Sequence, residues 1–476
     1  MENGDLPYLS ATELSGLIKS KEVSPVEAVE AYLDRIDRLD PTLHAYITVT
    51  RDEALQAARE SEQALARGEY RGPMHGIPVA EKDQAYTKGI RTTIGSLFYK
   101  DFVPDIDATV IEKLRSAGAI LLGKLNLAEF GTTGTVQPYG TALNPWNLEY
   151  HTTGSSTGAA AGTSGFLCAT SLGEDTGGSI RGPAAACGLV GLRPSWGRVS
   201  RYGVRPGVWS MDHMGPMSRT VEDCAMTMQA IAGHDPKAPY TWNTPVPDYR
   251  AALSGDIKGL KVGVVKEVTD GEMIHPEVHE VVMKAVGVLG ELGASVEEIS
   301  IPLSAEAWTI LGPIRIEAPL QYKDFLQNRL QEIGHDNQIA YLVNSILPAQ
   351  YYYKAQKLRT ILRNQVIEAL EKVDVWVMPT SGATAGKIAP PGTPINRIDS
   401  PEKAPFVGKG SATLVTAMAS VSSTPAISVP CGFNSQNLPV GLQIGGRNYD
   451  ESTVLNVAYA YEQATPWHTM RPPPPI

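Results

Sequence analysis

Cysteine is scarce in this sequence, and its few copies lie far apart. Among 476 residues there are four cysteines, at positions 168, 187, 224 and 431. No two of them form a C-x-x-C pair. We therefore expect no disulfide scaffold. We expect the protein to reside in a reducing compartment.

Long apolar runs and basic tracts are also missing. No stretch approaches the roughly 18 apolar residues of a membrane-spanning helix. The N-terminal residues, MENGDLPYLS, lack the basic start and apolar core of a signal peptide. Lys and Arg number 41 against 51 Asp and Glu, a net charge of −10. We therefore expect a cytoplasmic protein with neither nucleic acid nor a membrane as its partner.

Glycine and proline are, in contrast, plentiful, with 45 and 35 copies, but they follow no fixed period. Such a composition indicates many tight turns rather than a collagen-like or low-complexity chain. Hydrophobic residues make up 42% of the sequence, enough to bury a substantial core. Because no repeat or linker divides the chain, we predict a single domain that spans residues 1–476.

Predicted helices and strands alternate along much of the chain. A helix should begin after the capping residue Ser24 and end at Pro41. A second helix is predicted at about 51–66, and a strand at 77–82 that has Lys82 on one of its faces. Residues 260–301 have the pattern of a strand–helix–strand unit. This alternation indicates an α/β protein with helices packed on a sheet.

Three familiar motifs occur only in weakened form. Residues 118–124 resemble a phosphate loop, but Leu125 replaces the hydroxyl residue that would bind the metal, so a buried strand is favoured. His275 and His279 lack a third metal ligand nearby. Residues 154–158 match G-x-S-x-G, but no apolar strand precedes them as the nucleophile elbow requires.

A stronger pattern combines Lys82, the pair Ser155 and Ser156, and residues 177–179, Gly-Gly-Ser. A serine hydroxyl becomes an effective nucleophile only when a base removes its proton. A Gly-Gly-Ser turn presents backbone N–H groups of the kind that an oxyanion hole needs. Burial favours the neutral form of a lysine, which can then act as that base. The pattern therefore indicates acyl-transfer chemistry, with a second serine that relays the proton.

Longer stretches around these residues share the motifs of one known family. They are residues 72–83, 154–165, 173–185, 191–195, 197–200, 215–223, 425–432 and 438–443. Together they cover most of residues 10–465, and on them the chain resembles the amidase signature family. The resemblance implies a single large α/β domain with a central twisted mixed β-sheet flanked by α-helices. It places the core of the domain at residues 153–215 and a variable substrate-pocket region at about 302–410.

The resemblance also implies roles for individual residues. Ser179 would be the nucleophile, Ser155 the bridging serine on a cis peptide bond, and Lys82 the general base. The oxyanion hole would consist of the backbone N–H groups of Thr176, Gly177, Gly178 and Ser179. Asp175 and Arg181 would pair and hold the shape of the turn, while Ser156 would hydrogen-bond near Lys82. Candidates for the substrate pocket are Glu129, Phe130, Gly131, Trp209, His213 and Tyr351.

The chain departs from the family pattern at several positions beside the site. Thr153 and Thr157 replace glycines, Ala159 replaces a serine, Glu174 replaces the usual Thr, and Gly182 replaces a bulkier residue. None of these changes removes a member of the triad. They leave the chemistry intact, but they leave the substrate class open.

The implied activity is hydrolysis of carboxamides through a serine acyl-enzyme, with esters and carbamates as further substrates. The expected substrates include ones that carry aryl or apolar groups. It needs neither a metal nor an organic cofactor. The expected partner is a small-molecule amide, ester or carbamate, and the expected state is a monomer or homodimer.

One alternative is the glutaminase (A) subunit of a tRNA-dependent amidotransferase. Those subunits carry an acidic residue where this chain has Thr413, so we favour the free hydrolase. A catalytically dead binding protein is disfavoured because all three triad residues are present.

Overall fold

One mixed β-sheet of eleven strands runs through the part of the chain that the structure describes. This computed structural model describes residues 3–132, 137–205, 207–271, 273–388, 414–474 and 476. The strands are β1 (Tyr46–Val49), β2 (Pro78–Lys82), β3 (Ile120–Leu125), β4 (Thr170–Glu174), β5 (Val190–Arg193), β6 (Met214–Ser218), β7 (Lys261–Val265), β8 (Ser295–Ile299), β9 (Val375–Pro379), β10 (Ala426–Phe433) and β11 (Pro439–Gly445). Their order across the sheet is β1-β3-β2-β4-β6-β5-β10-β11-β9-β7-β8.

Helices connect the strands and pack against the sheet. They are α1 (Ala11–Ser20), α2 (Pro25–Leu43), α3 (Arg51–Ala66), α4 (Thr109–Ser116), α5 (Thr157–Ser164), α6 (Arg181–Ala186), α7 (Val221–Ile231), α8 (Lys266–Thr269), α9 (Pro276–Glu291), α10 (Ala307–Ile314), α11 (Glu317–Gln321), α12 (Lys323–Asn328), α13 (His335–Ile346), α14 (Ala349–Leu370), α15 (Ala417–Ser422) and α16 (Glu451–Gln463). Helices α5, α6, α9 and α16 contact sheet strands directly. The predicted α/β class with a mixed sheet is confirmed.

Local sequence signals located most of these elements. Ser24 caps α2, because its hydroxyl accepts the N–H of Glu27 and the Glu27 carboxylate accepts the N–H of Ser24. The predicted helix at 51–66 is α3, and the predicted strand–helix–strand unit is β7, α9 and β8, whose strands are parallel. The end of α2 was predicted wrongly. Pro41 lies inside its last turn, and the helix ends at Leu43, followed by the capping residue His44 with a φ of 51°.

The register of three parallel strands brings the ends of β2 and β4 together. Strand β2 lies between β3 and β4 and is parallel to both. The pairing of Glu81 with Leu172 places the last residue of β2, Lys82, beside the end of β4. Carboxyl ends of parallel strands meet at one edge of a sheet, and ligand sites in open α/β sheets lie there. The candidate site begins at this edge.

Helix α5 lies unusually close to these strands because its residues are small. All eight of its residues are buried. A Cβ atom on Gly158 would lie 2.4 Å from the backbone nitrogen of Asn126, so only glycine allows this approach. The close packing positions the loop that precedes α5, which contains Ser155.

On the β2–β3 pair, a second buried lysine forms its own ion-pair cluster. Lys124 on β3 lies in the segment that resembles a phosphate loop, which is a buried strand as favoured from the sequence. Its Nζ lies 2.8 Å from Glu81 Oε1 and 3.3 Å from Asp83 Oδ1. Burial raises the pKa of Glu81 to about 6, although the charge of Lys124 opposes that shift. The cluster fixes β2 on both sides of the Lys82 position.

Lys124→Met should lower the free energy of unfolding by about 3–5 kcal/mol, because two buried carboxylates lose their cation. The loss should be smaller at about pH 5 than at about pH 8, since Glu81 and Asp83 can take up protons at low pH. Denaturant unfolding at both pH values measures this effect. Lys284→Met is the matched control: its ion pair with Glu280 is exposed, so its loss should change the free energy of unfolding far less. Equal losses in the two variants would contradict the prediction.

Candidate active site

Lys82 and Ser155 are in direct contact at the edge of the sheet. The Nζ atom of Lys82 lies 2.8 Å from Ser155 Oγ, within hydrogen-bond distance, and both side chains are fully buried. The peptide bond between Gly154 and Ser155 is cis, as the family resemblance implies. A further hydrogen bond, from the Ala128 N–H to the Ser155 carbonyl at 3.0 Å, holds this loop in place. The bridging serine predicted from the sequence therefore faces the lysine.

Ser156 connects the same loop to the end of β4. Its hydroxyl donates to the carbonyl of Glu174 at 3.2 Å, and the Glu174 N–H lies 3.3 Å from the same hydroxyl oxygen. The Glu174 carbonyl also accepts from Lys82 Nζ at 3.3 Å. Ser156 therefore positions the backbone that contacts the lysine.

The turn that follows β4 is built around Asp175. Arg181 contacts both carboxylate oxygens of Asp175, from Nε at 3.0 Å and from Nη2 at 3.1 Å. Arg193 Nη1 lies 3.1 Å from the same carboxylate. Burial alone would raise the pKa of Asp175, but the two guanidinium groups lower it below its usual range. An ionised Asp175 between two arginines gives the turn a rigid base.

Not every predicted oxyanion donor is free. The Gly178 N–H donates to Asp175 Oδ1 at 2.8 Å, so Gly178 shapes the turn instead of pointing its N–H at a substrate. That part of the prediction is corrected. The N–H groups of Thr176, Gly177 and Ser179 have no acceptor among the described residues. Ser179 is half-buried.

The carboxyl group of Glu174 was not predicted as part of the site, although the sequence marks Glu174 as a departure from the family pattern. Its Oε2 lies 3.1 Å from Lys82 Nζ, and its Oε1 lies 3.0 Å from Thr176 Oγ1. Thr176 Oγ1 also lies 2.6 Å from Asp212 Oδ1. Burial raises the pKa of Glu174, and the positive charge of Lys82 opposes that shift. Two acidic groups and the lysine therefore form one buried cluster.

Two of the pocket candidates, Glu129 and Phe130, are themselves buried. Glu129 Oε2 accepts from Asn337 Nδ2 at 2.8 Å and so ties its loop to α13. Phe130 has a φ of 58° and packs against the ring of Tyr322, with 4.9 Å between the centroids. These two buried residues therefore support the loop beside the site.

Gly131 lies closer to the reactive cluster. A Cβ atom at this position would be 3.6 Å from Glu174 Oε2 and 3.2 Å from Gln84 Oε1. Its φ of +68° is in the region that favours glycine. Gly131 therefore leaves room beside the Glu174 carboxyl.

The other three pocket candidates have different environments. His213 is buried and donates from Nδ1 to the Met211 carbonyl at 2.7 Å. Its backbone pairs with that of Asp175, and burial lowers its pKa, so a neutral ring supports the turn. Trp209 and Tyr351 are about half exposed, at 50% and 49%. In the described chain, no hydrogen bond or ring contact joins either of them to the triad.

Helix α10 supplies an apolar wall that the sequence indicated only broadly. A Cβ atom on Gly177 would lie 2.8 Å from Leu311 Cδ2 and 3.1 Å from Trp308 Cζ3. Both side chains therefore lie directly against the turn. The aromatic content of the segment was visible in the sequence, but its contact with Gly177 was not.

The two histidines that are four positions apart, His275 and His279, each have another contact. His275 caps α9, and His279 Nε2 lies 3.2 Å from Asp270 in an exposed pair. Within the residues that the structure covers, no group of three or more His, Cys, Asp or Glu side chains could hold a metal ion. In the same part of the chain, none of the helices combines the length and apolar character needed to cross a membrane.

Curated relatives match the chain from end to end. A protein of Moorella thermoacetica is 41% identical over 495 residues, which covers 98% of this chain and 99% of the relative. One of Thermosynechococcus vestitus is 40% identical over 487 residues, or 97% and 98% of the two chains. Both are named as the A subunit of glutamyl-tRNA(Gln) amidotransferase. That name refers to a tRNA and to one component of an assembly. The prediction of a monomer or homodimer with only a small-molecule partner and no nucleic acid is therefore wrong.

Solved structures and a family model agree on the fold. The A subunit of glutamyl-tRNA(Gln) amidotransferase from Thermotoga maritima matches with a TM-score of 0.80 and 31% identity over 97% of this chain and 96% of that one. A bacterial aryl acylamidase of the amidase signature family matches with a TM-score of 0.88 and 26% identity over 98% and 99%. The family model Amidase matches residues 27–455. The chain therefore belongs to the amidase signature family, whose enzymes act on carbon–nitrogen bonds.

Proposed function

We propose that this protein cleaves the C–N bond of a carboxamide through an acyl-enzyme on Ser179. Lys82 takes a proton from Ser155, Ser155 takes one from Ser179, and Ser179 Oγ attacks the carbonyl carbon. The observation that carries the proposal is the 2.8 Å contact between Lys82 Nζ and Ser155 Oγ, because it places a base on the bridging hydroxyl. The amine leaves after the proton returns to it, and water then releases the acyl group.

The oxyanion would be stabilised by backbone donors of the turn after β4. Thr176, Gly177 and Ser179 carry N–H groups that no described residue accepts, whereas the Gly178 N–H is bonded to Asp175. Donors that are fixed before the reaction stabilise developing charge without reorganisation. The buried Asp175–Arg181 pair would hold them in place.

We infer that the carboxamide is the side chain of glutamine and that the protein is the glutaminase component of a tRNA-dependent amidotransferase. The support is the 40–41% identity to proteins of that name over nearly the whole length of both chains. In that role the ammonia passes to a partner protein. Residues 153–215 would supply the catalytic core and residues 302–388 the side of the pocket facing the substrate. The rest of the predicted pocket region, 389–410, lies outside the described residues.

The isolated chain should release ammonia from glutamine, and added hydroxylamine should capture the acyl group as glutamyl hydroxamate. Both products should disappear in Ser179→Ala. Ammonia is measured with a coupled dehydrogenase assay, and hydroxamate by its iron complex. Asparagine is the matched control substrate, because it carries the same amide on a side chain one methylene shorter. Absence of both products at millimolar glutamine would argue against the glutaminase assignment.

A hydrolase of aryl or apolar amides is the second candidate. It is favoured by the higher TM-score with the aryl acylamidase, 0.88 against 0.80, and by the Trp308–Leu311 wall at Gly177. Thr413, which led us to favour this activity from the sequence, lies outside the described residues. Turnover of p-nitroacetanilide without turnover of glutamine would support this candidate over the first.

A further inference from the structure

Three oxygens surround Lys82 Nζ, the atom that acts as the base in the proposed mechanism. Among the described residues, the atom hydrogen-bonds three oxygens: Ser155 Oγ at 2.8 Å, the Glu174 carbonyl at 3.3 Å and Glu174 Oε2 at 3.1 Å. A neutral amine has two N–H groups and one lone pair. If Glu174 accepts both N–H groups, the lone pair must face the Ser155 hydroxyl. That is the orientation a general base needs.

The hydrogen atoms around Thr176 indicate where a further proton lies. The Thr176 hydroxyl oxygen contacts Glu174 Oε1 at 3.0 Å and Asp212 Oδ1 at 2.6 Å. One hydroxyl hydrogen can be donated fully to only one of these two oxygens. The second contact becomes a full hydrogen bond only if that carboxyl group carries its own proton and donates it to Thr176.

Asp212 is the better stabilised anion of the two acids. The backbone N–H groups of Gly207 and Val208 donate to its carboxylate at 2.6 Å and 3.0 Å. Burial raises its pKa, but Arg201, Thr176 and these N–H groups oppose the shift. The Thr176 hydroxyl therefore donates to Asp212, and the proton belongs on Glu174 Oε1.

The charges that face Glu174 agree with this placement. Burial raises its pKa, and the negative charges of Asp212 and Asp175 raise it further. Lys82 opposes them, and Arg193 also faces the group but is paired with Asp175. A carboxyl group between two anions and one lysine favours its neutral form.

We propose that Glu174 is a positioning residue: protonated on the oxygen that faces Thr176, it accepts one N–H of Lys82 on the other oxygen and directs the lone pair of the lysine at Ser155. The inference rests on the proposed triad. During the reaction the Ser155 proton moves to Lys82 Nζ and later to the leaving amine, while Glu174 keeps its own proton. Glu174 therefore orients the base and exchanges no proton with the substrate.

Glu174→Gln tests the proposal directly, because a glutamine reproduces the protonated acid. Its amide oxygen can accept from Lys82, and its amide nitrogen can donate to Thr176. We expect kcat within about 3-fold of the wild type in Glu174→Gln and a loss of about 100-fold in Glu174→Leu, with KM little changed in both. A loss as large in Glu174→Gln as in Glu174→Leu would show that the charge is required and would overturn the proposal. Wild-type kcat in Glu174→Leu would overturn it as well.

The rate at which phenylmethanesulfonyl fluoride modifies Ser179 gives a second readout that does not depend on the natural substrate. Ser179 Oγ bonds to the sulfonyl sulfur, fluoride leaves, and the serine proton passes to Lys82. Mass spectrometry should show the same ranking, with Glu174→Gln near the wild-type rate and Glu174→Leu about 100-fold slower. If Glu174→Leu does not fold, Glu174→Met replaces it.

The two levels of inference can fail separately. This ranking without turnover of glutamine would refute the glutaminase assignment and support the role of Glu174. A Ser179 that does not react in the wild type would refute both.

Discussion

Ser179→Ala is expected to lower kcat by about 10⁴–10⁶-fold, because the proposed nucleophile cannot be replaced by any neighbouring group. Lys82 and Ser155 would still be in contact, so the proton relay would be intact but without a nucleophile. The Ser179 side chain is half-buried and hydrogen-bonds no described residue, so the melting temperature should stay within a few degrees of the wild-type value. Steady-state hydrolysis and thermal unfolding together measure the two effects.

Two companion variants test the assignment. Ser254→Ala, at an exposed serine far along the chain, should have wild-type kcat. Lys82→Met removes the base while preserving much of the apolar stem and should lower kcat by at least about 10³-fold. A folded Ser179→Ala protein that keeps more than about a hundredth of wild-type kcat would contradict the nucleophile assignment.

Gly178→Ala should lower kcat strongly although it removes no reacting group. Gly178 has a φ of +135°, and a Cβ atom there would lie 2.0 Å from Thr416 Oγ1. Neither the strained backbone nor the clash can be relieved without moving the turn that carries the proposed oxyanion donors. A displacement of about 1 Å at such a turn lowers kcat by about 100-fold, and the loss of one donor by about 100–1,000-fold. We therefore expect a loss of at least about 100-fold, together with a lower melting temperature.

Gly72→Ala separates backbone strain from displacement of the turn. Gly72 also has a positive φ, +110°, but no atom lies within 4 Å of the Cβ position. This variant should lose stability through strain alone and keep wild-type kcat. If Gly178→Ala keeps its activity as well, the N–H groups of the turn do not form the oxyanion hole.

Local elements were largely predictable from the sequence because their signals are local. Ser24 and Glu27 form the capping box at the start of α2, and α3 covers the predicted residues 51–66. Pro41 was misinterpreted since a proline in the last turn of a helix removes only one hydrogen bond. The α/β class followed from the alternation of these elements, but the order of strands could not, because it depends on contacts between distant segments.

The partner prediction failed for a different physical reason. A net charge of −10 is a sum over 476 residues and does not describe any one surface. An acidic protein can be one component of an assembly that acts on tRNA, with another component carrying the basic surface. Composition therefore excluded less than we expected.

The identities of Lys82, Ser155 and Ser179 as the candidate catalytic residues come from the sequence alone, because short motifs specify which residue types are available. Tertiary structure decided how they are arranged. Lys82 and Glu174 are 92 positions apart, and only the parallel pairing of β2 and β4 brings the carboxyl group onto the lysine. Tertiary structure also decided the role of the Gly178 N–H. It donates to the Asp175 carboxylate, which Arg181 and Arg193 hold in place. A motif specifies which groups are present, but strand register and buried charge determine which of them face one another.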